Sequence, residues 1–208
     1  MEIVLGGGVI DRHLEGAVAL LRAYREDEGT RYLNQVPITP PDRLVPEDLA
    51  VTILINSRVT WRAYKSVQDL APALDLGVLP ATPLEGTSAA QRALVADVVA
   101  QVAHWPGFAA SVASKVLHKK RAALVPLLDN SAIFGAYMNP VWPAVHSSAD
   151  SVKDIGRIRE ALDSIWFDLT RPENTQVWSA LSAQEPTRTR IELFDMVWWS
   201  HFRGVEPR

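Results

Sequence analysis

Apolar positions along this chain recur mostly at steps of three and four, the spacing of a helix face, and not at the alternation of a half-buried strand. Leu14, Ala17, Val18, Leu21 and Tyr24 predict an amphipathic helix over 9–28, with Asp11 at its opening. Gly29, Pro37, Pro40 and Pro41 make 29–45 a loop. Pro46-Glu47-Asp48 suits a helix start, because proline fits a first turn and carboxylates suit the positive helix end. That helix is expected to carry Leu49, Ile53 and Leu54 inward. The β-branched run Val51–Ile55 has strand propensity, but its surroundings favour helix. A further helix from about Thr60 presents Trp61, Tyr64 and Leu70. Pro72, Gly77, Pro80, Pro83 and Gly86 mark 71–87 as the clearest linker.

Thr87 or Ser88 caps the next helix, which runs to about His104 with Leu94, Val98 and Val102 on one face. Pro106-Gly107 breaks it, and a helix over about 110–120 follows. A short helix is predicted after Asp129. Residues 139–149 (NPVWPAVHSSA) read as loop, and Asp150 or Ser151 caps a helix carrying Val152, Ile155, Ile158, Leu162 and Ile165. Two more helices are predicted over 173–183 and 188–202, the last with Ile191, Leu193, Phe194, Val197 and Trp198. The predicted class is all-α, with about nine helices and no alternating strand pattern. The expected domain is two-lobed. Lobe A takes about 1–70 plus 150–208, lobe B about 87–138, and 71–87 joins them. Helices 9–28 and 188–202 each carry an apolar face that needs cover, so the C-terminal helices are expected to pack back on the N-terminal ones.

Composition narrows the function classes. The chain has 208 residues, 48% hydrophobic and 22% charged, enough for a real core. Seven Trp and 14 Pro stand out. A net charge of −3 excludes a polycation, so nucleic-acid binding has to come from a local patch. The absence of Cys excludes disulfides, thiolate zinc sites, Cys-ligated iron–sulfur clusters and Cys nucleophiles, and fits a cytoplasmic protein. The start, MEIVLGGGVIDRH, lacks a signal-peptide pattern, and no window reaches 18 apolar residues, so no membrane span is expected. Gly6-Gly7-Gly8 lacks the strand–glycine–helix spacing of a nucleotide loop and reads as a flexible turn. His13, His104, His118, His146 and His201 are scattered without ligand spacing, so neither a metal nor a cofactor is expected. Trp198-Trp199 reads as core and rim of the last helix.

One stretch concentrates chemistry: His104 to Ala132, HWPGFAASVASKVLHKKRAALVPLLDNSA. It holds a Pro-Gly turn, a helix of small residues, a basic cluster and an apolar run that stops at a lone carboxylate, Asp129. A turn opening onto a helix start offers N–H groups to an anion. Lys115, His118, Lys119, Lys120 and Arg121 add positive charge, which also suits a helix C-terminus. Asp129 reads equally as the N-cap of the following helix and as a functional acid.

This segment resembles the helix-hairpin-helix DNA glycosylase superfamily. The hairpin, at about 88–120, would turn at Pro106-Gly107-Phe108-Ala109. Val125-Pro126-Leu127-Leu128-Asp129 matches the family's approach to its catalytic aspartate. Ser111 takes the slot where bifunctional members carry a lysine nucleophile. The string ASKVLHKKRAALVPLLD also resembles an uncharacterised actinobacterial family of unknown function. The glycosylase resemblance implies a monofunctional N-glycosylase of DNA repair, acting on duplex DNA with a flipped base. Asp129 would be its catalytic carboxylate. Gly107, Ala109, Ser111, Lys115, Lys119, Lys120 and Arg121 would face phosphate, and Asn56 and Arg58, in PEDLAVTILINSRVTW, would contact the DNA gap. Departures are visible. Thr52 stands where the mismatch-adenine branch has a Glu, and the second hairpin glycine is Ala109, which a left-handed backbone would strain. The alternative is a non-catalytic helical module that binds a partner, which the acidic net charge favours.

Overall fold

In the computed structural model, residues 2–6, 10–26, 39–54, 59–138 and 152–204 are described. The fold is all-α, and no helix among those residues is long and apolar enough to cross a membrane. Among the described residues eight α-helices form: α1 (Leu14–Glu26), α2 (Leu49–Leu54), α3 (Trp61–Leu70), α4 (Ala89–Ala103), α5 (Ala110–Lys120), α6 (Ile155–Thr170), α7 (Thr175–Gln184) and α8 (Arg190–Phe202). A π-helix, Asn130–Tyr137, lies between α5 and α6.

The caps are those that side-chain chemistry prescribes. Ser88 accepts the Gln91 N–H at 3.3 Å while Gln91 returns to the Ser88 N–H at 2.9 Å, a reciprocal box that starts α4. Thr189 and Glu192 do the same for α8. Helix α4 is buried almost all round, through Val95, Val98, Val99 and Val102, because it is wedged between α5 and α6. Arg92 is buried on its flank, where it donates to Thr87 O, pairs with Asp163 and lies 4.0 Å over the Trp166 ring. Helix α1 packs on α8 and α7, so the C-terminal helices cover the N-terminal one as expected.

Several expectations are corrected. Residues 10–13 are not helical. Ile10–His13 (β2) pairs antiparallel with Glu2–Leu5 (β1), Leu5 opposite Ile10 and Glu2 opposite His13. Ile3 and Leu5 point into the core, and Asn174 completes the other edge of β1, donating to Val4 O at 2.8 Å and accepting Val4 N–H at 3.0 Å. Gly6 is anchored rather than flexible. Its φ is 60°, its N–H donates to Asp168 at 2.7 Å, and Tyr137 donates to the same carboxyl oxygen at 2.7 Å. Gly7 and Gly8 lie outside the described residues.

In α2 the inward face is Leu49, Val51 and Thr52, while Ile53 is 63% exposed. The 71–87 segment is more than a linker. It folds as three 3₁₀ turns, Ala71–Ala73, Leu76–Val78 and Leu84–Gly86, that bury Leu74, Leu76, Leu79 and Leu84 in the core. Asp154, not Asp150 or Ser151, caps α6, accepting the Arg157 N–H at 2.8 Å. Asp150, Ser151 and the 139–149 loop lie outside the described residues.

Candidate functional site

The hairpin joining α4 to α5 is built around one backbone constraint. Gly107 has φ +85°, and a Cβ there would meet Ala63 N at 2.6 Å and Thr60 Oγ1 at 2.9 Å. The tip is thus pressed onto the first turn of α3, where Ser66 also donates to Pro106 O at 2.8 Å. Gly107→Ala therefore adds left-handed strain to a backbone clash and is expected to cost about 2–3 kcal/mol, read as a lowered urea midpoint with unchanged slope. Ala109 is extended (φ −151°, ψ 178°), so the strain expected for an alanine at the second hairpin position does not arise. The Ala110 N–H is taken by Val152 O at 2.8 Å, which leaves exposed Pro106 and Gly107 and half-buried Ser111 as the hairpin's outer surface.

The basic run does not form the expected phosphate-facing patch. Helix α5 is packed through Ala110, Ala113, Ser114, Val116 and Leu117, and its long cationic side chains lie along those contacts instead of outside them. Lys120, whose side chain is 1% exposed, pairs with Asp48 at 2.8 Å and donates to Pro40 O and Thr39. Arg121 donates to Pro41 O at 2.8 Å. His118 Nδ1 meets Val125 O at 2.7 Å, and burial pulls its pKa down. Lys119 is half-buried near Glu192 and Arg188, and burial lowers its pKa too. Lys115 turns toward a cleft that it lines with Asp129 and Asp195. Asn56 and Arg58 lie outside the described residues.

That cleft, an open volume of about 510 Å³, contains Asp129. Ser114, fully buried on α5, accepts the Leu128 N–H at 2.9 Å and so fixes the extended approach to the acid. Asp129 then caps the π-helix, its Oδ1 accepting the N–H groups of Ser131 at 2.8 Å and Ala132 at 2.9 Å. The Asp129 carbonyl accepts from both Ile133 and Phe134, the widened turn that defines a π-helix and often marks a functional site. The two readings of Asp129, cap and acid, are thus compatible. One oxygen holds the helix start, and the other takes no hydrogen bond among the described residues.

The cleft is shared with residues that the sequence reads only as helix-face, core or rim, and with Asp195, which it does not single out. Asp195, Trp198 and Trp199 sit at three- and four-residue steps on α8 and line the same cleft, with Tyr24 from α1. Asp195 is 7% exposed, accepts only the long 3.4 Å bond from Leu127 N–H among the described residues, and is pushed well above the usual carboxylate range by that burial. Burial lowers the Lys115 amine, against the opposing pull of Asp129. The Arg203 guanidinium stands 5.6 Å from the Trp199 ring. Thr52 is fully buried with its hydroxyl on Leu49 O at 2.7 Å, so its position supplies no acid. A lone aspartate inside the apolar run Leu193–Trp199 is the sequence signal that marks Asp195, the same signal that marked Asp129. Among the described residues no cluster of metal-ligating side chains forms.

A raised carboxyl pKa in the folded state means that folding favours the protonated form. Stability from Asp195 is therefore present below the ordinary carboxylate range and lost as pH climbs through its raised value. Asp195→Asn should remove that loss, raising stability above neutral pH by about 1 kcal/mol and flattening its pH dependence. Melting curves from pH 5 to 9 check this; an unchanged slope would mean that the carboxyl is solvated.

Neither the curated proteins nor the solved structures contain a match to this chain. A family model does match residues 17–202, which span α1 through α8 and every cleft residue named above, so the chain belongs to DUF6308, a family of unknown function.

Proposed function

We propose that the Asp129 cleft holds a nucleobase extruded from DNA and hydrolyses its N-glycosidic bond, as a monofunctional N-glycosylase does. The observation that carries this reading is the convergence in one aromatic-walled cleft of two carboxyls in unlike environments, Asp129 on a helix cap and Asp195 in an apolar wall. Pairs whose surroundings drive their proton affinities apart divide the roles of acid and base. Burial keeps a proton on Asp195, which it gives to the departing base nitrogen. The C1′–N bond breaks, and the positive charge developing on the sugar is stabilised by Asp129. Water adds at C1′, and its proton passes to the Asp129 carboxylate. The products are the free base and an abasic sugar, with no cofactor consumed. Tyr24 and Trp199 supply flat apolar surface for the base.

A second reading is favoured by one observation: Lys115 and Lys120 are buried, so the expected phosphate-binding patch on α5 is not formed. On that reading the cleft binds a planar ligand without turnover, and the chain is an interaction module. Both are decided by incubating the protein with duplexes carrying deaminated, oxidised or alkylated bases, then cleaving abasic sites with alkali. Strand scission at one base class supports the glycosylase. Intact strands throughout, with saturable binding of a free base or nucleoside, support the module.

A further inference from the structure

With the basic run of α5 turned inward, nucleic acid needs another surface, and one on α3 has the required chemistry. Trp61 is 71% exposed and Tyr64 37% exposed, and their rings stack with centroids 5.4 Å apart and planes 16° from parallel. Gln68 holds the arrangement from one turn on, donating to the Tyr64 hydroxyl at 3.5 Å. Covering the two rings would remove a large apolar area from water. On the side of Trp61 away from Tyr64 the helical spacing puts Lys65 and then Arg62, both exposed. Lys65 is paired with Asp69 at 2.8 Å, whereas Arg62 forms no ion pair among the described residues. The same first turn of α3 carries the Gly107 tip, whose Cα lies against Thr60 and Ala63. A guanidinium with no ion pair among the described residues and an open ring face therefore sit side by side on the outer surface of α3.

We propose that this edge of α3 is a docking platform for unpaired nucleic acid, a base stacking on the outer face of Trp61 while Arg62 engages the neighbouring phosphate. A base presents a flat π-face and a phosphate a single negative charge, which is the pairing this surface offers. The proposal rests on the base-excision reading for its ligand class. It differs in site, and its test separates the two.

The experiment is fluorescence anisotropy with labelled DNA, using a single strand, a duplex and a duplex with a central unpaired bubble, on wild type, Trp61→Ala, Trp61→Phe and Arg62→Gln. Melting is measured in parallel; these side chains are solvent-exposed, and their replacement should leave it within a degree or two. Trp61→Ala should weaken binding to the single strand and the bubble by at least about fivefold, the lower end for losing one stacked base. Trp61→Phe should recover most of that, and Arg62→Gln should reduce the slope of log affinity against log salt by about 0.7. Wild-type affinity in all three variants, or no detectable binding by wild type, overturns the platform. So does a shift in sedimentation on Trp61→Ala, which would assign the surface to self-association. Base excision is scored separately at saturating protein. Excision by wild type together with binding indifferent to Trp61 keeps the enzyme and sinks the platform, whereas Trp61-dependent binding without excision of any base keeps the platform and sinks the enzyme.

Discussion

Asp129→Asn is expected to reduce single-turnover base release by about a thousandfold, the scale set by removing one group that acts on charge developing in a transition state. DNA binding and melting should stay close to wild type. The reason lies in the division of labour between the two oxygens. Oδ1 accepts the Ser131 and Ala132 N–H groups, and an asparagine oxygen accepts them equally well, so the π-helix keeps its cap. What the amide cannot supply is negative charge facing the cleft. The loss should therefore fall on the chemical step and leave the bound state intact. Equal excision rates for wild type and variant, on a substrate that wild type cleaves, would retire Asp129 as the catalytic carboxylate and leave it only a cap.

Lys120→Met should have the largest effect on stability, a loss of about 3–5 kcal/mol. The Lys120 and Asp48 side chains are 1% and 2% exposed and 2.8 Å apart. Asp48 also accepts the Val45 N–H at 2.8 Å. Removing the cation strands that carboxylate in a dry site. Removing its charge as well, in Lys120→Met with Asp48→Asn, should restore most of the stability, because the amide keeps the Val45 bond without a buried charge. Urea unfolding of the single and double variants measures both. A single-variant cost below about 1 kcal/mol would show that Lys120 reaches water, and would return it to the set of residues that can meet phosphate.

Much of the helical frame is legible in the sequence because its boundaries are written in local chemistry. Ser88 followed by Gln91, Pro106-Gly107 and Asp129 each satisfy or interrupt backbone hydrogen bonds within a few residues, and each stands where it was expected. The features that escaped are either too short to show a pattern or depend on partners distant in the chain. Nothing near Ile10–His13 says that it will pair with Glu2–Leu5, since four residues give too short an alternation to see. Ile53 reads as core until α2's actual contact with α5 fixes which side faces inward. The cluster Lys119-Lys120-Arg121 reads as positive charge at a helix C-terminus, open to phosphate, and only the arrival of Asp48 and the 39–41 backbone explains why Lys120 and Arg121 are engaged. Asp129 was identifiable because it ends an apolar run beside a turn. Asp195 carries the same mark, but its meaning depends on α8 lining the same cleft.

The clamp of Asn174 on both polar groups of Val4 ties together residues 170 positions apart. A chain emerging from the ribosome at about 5–20 residues per second exposes Ile3 and Leu5 for many seconds before α7 exists to receive them. The first strand is therefore among the last pieces to dock. The helical body has to reach a near-native arrangement while this apolar strand waits, and high sequence separation of this kind slows the closing step. In a crowded cell that waiting segment is what a holdase chaperone would find.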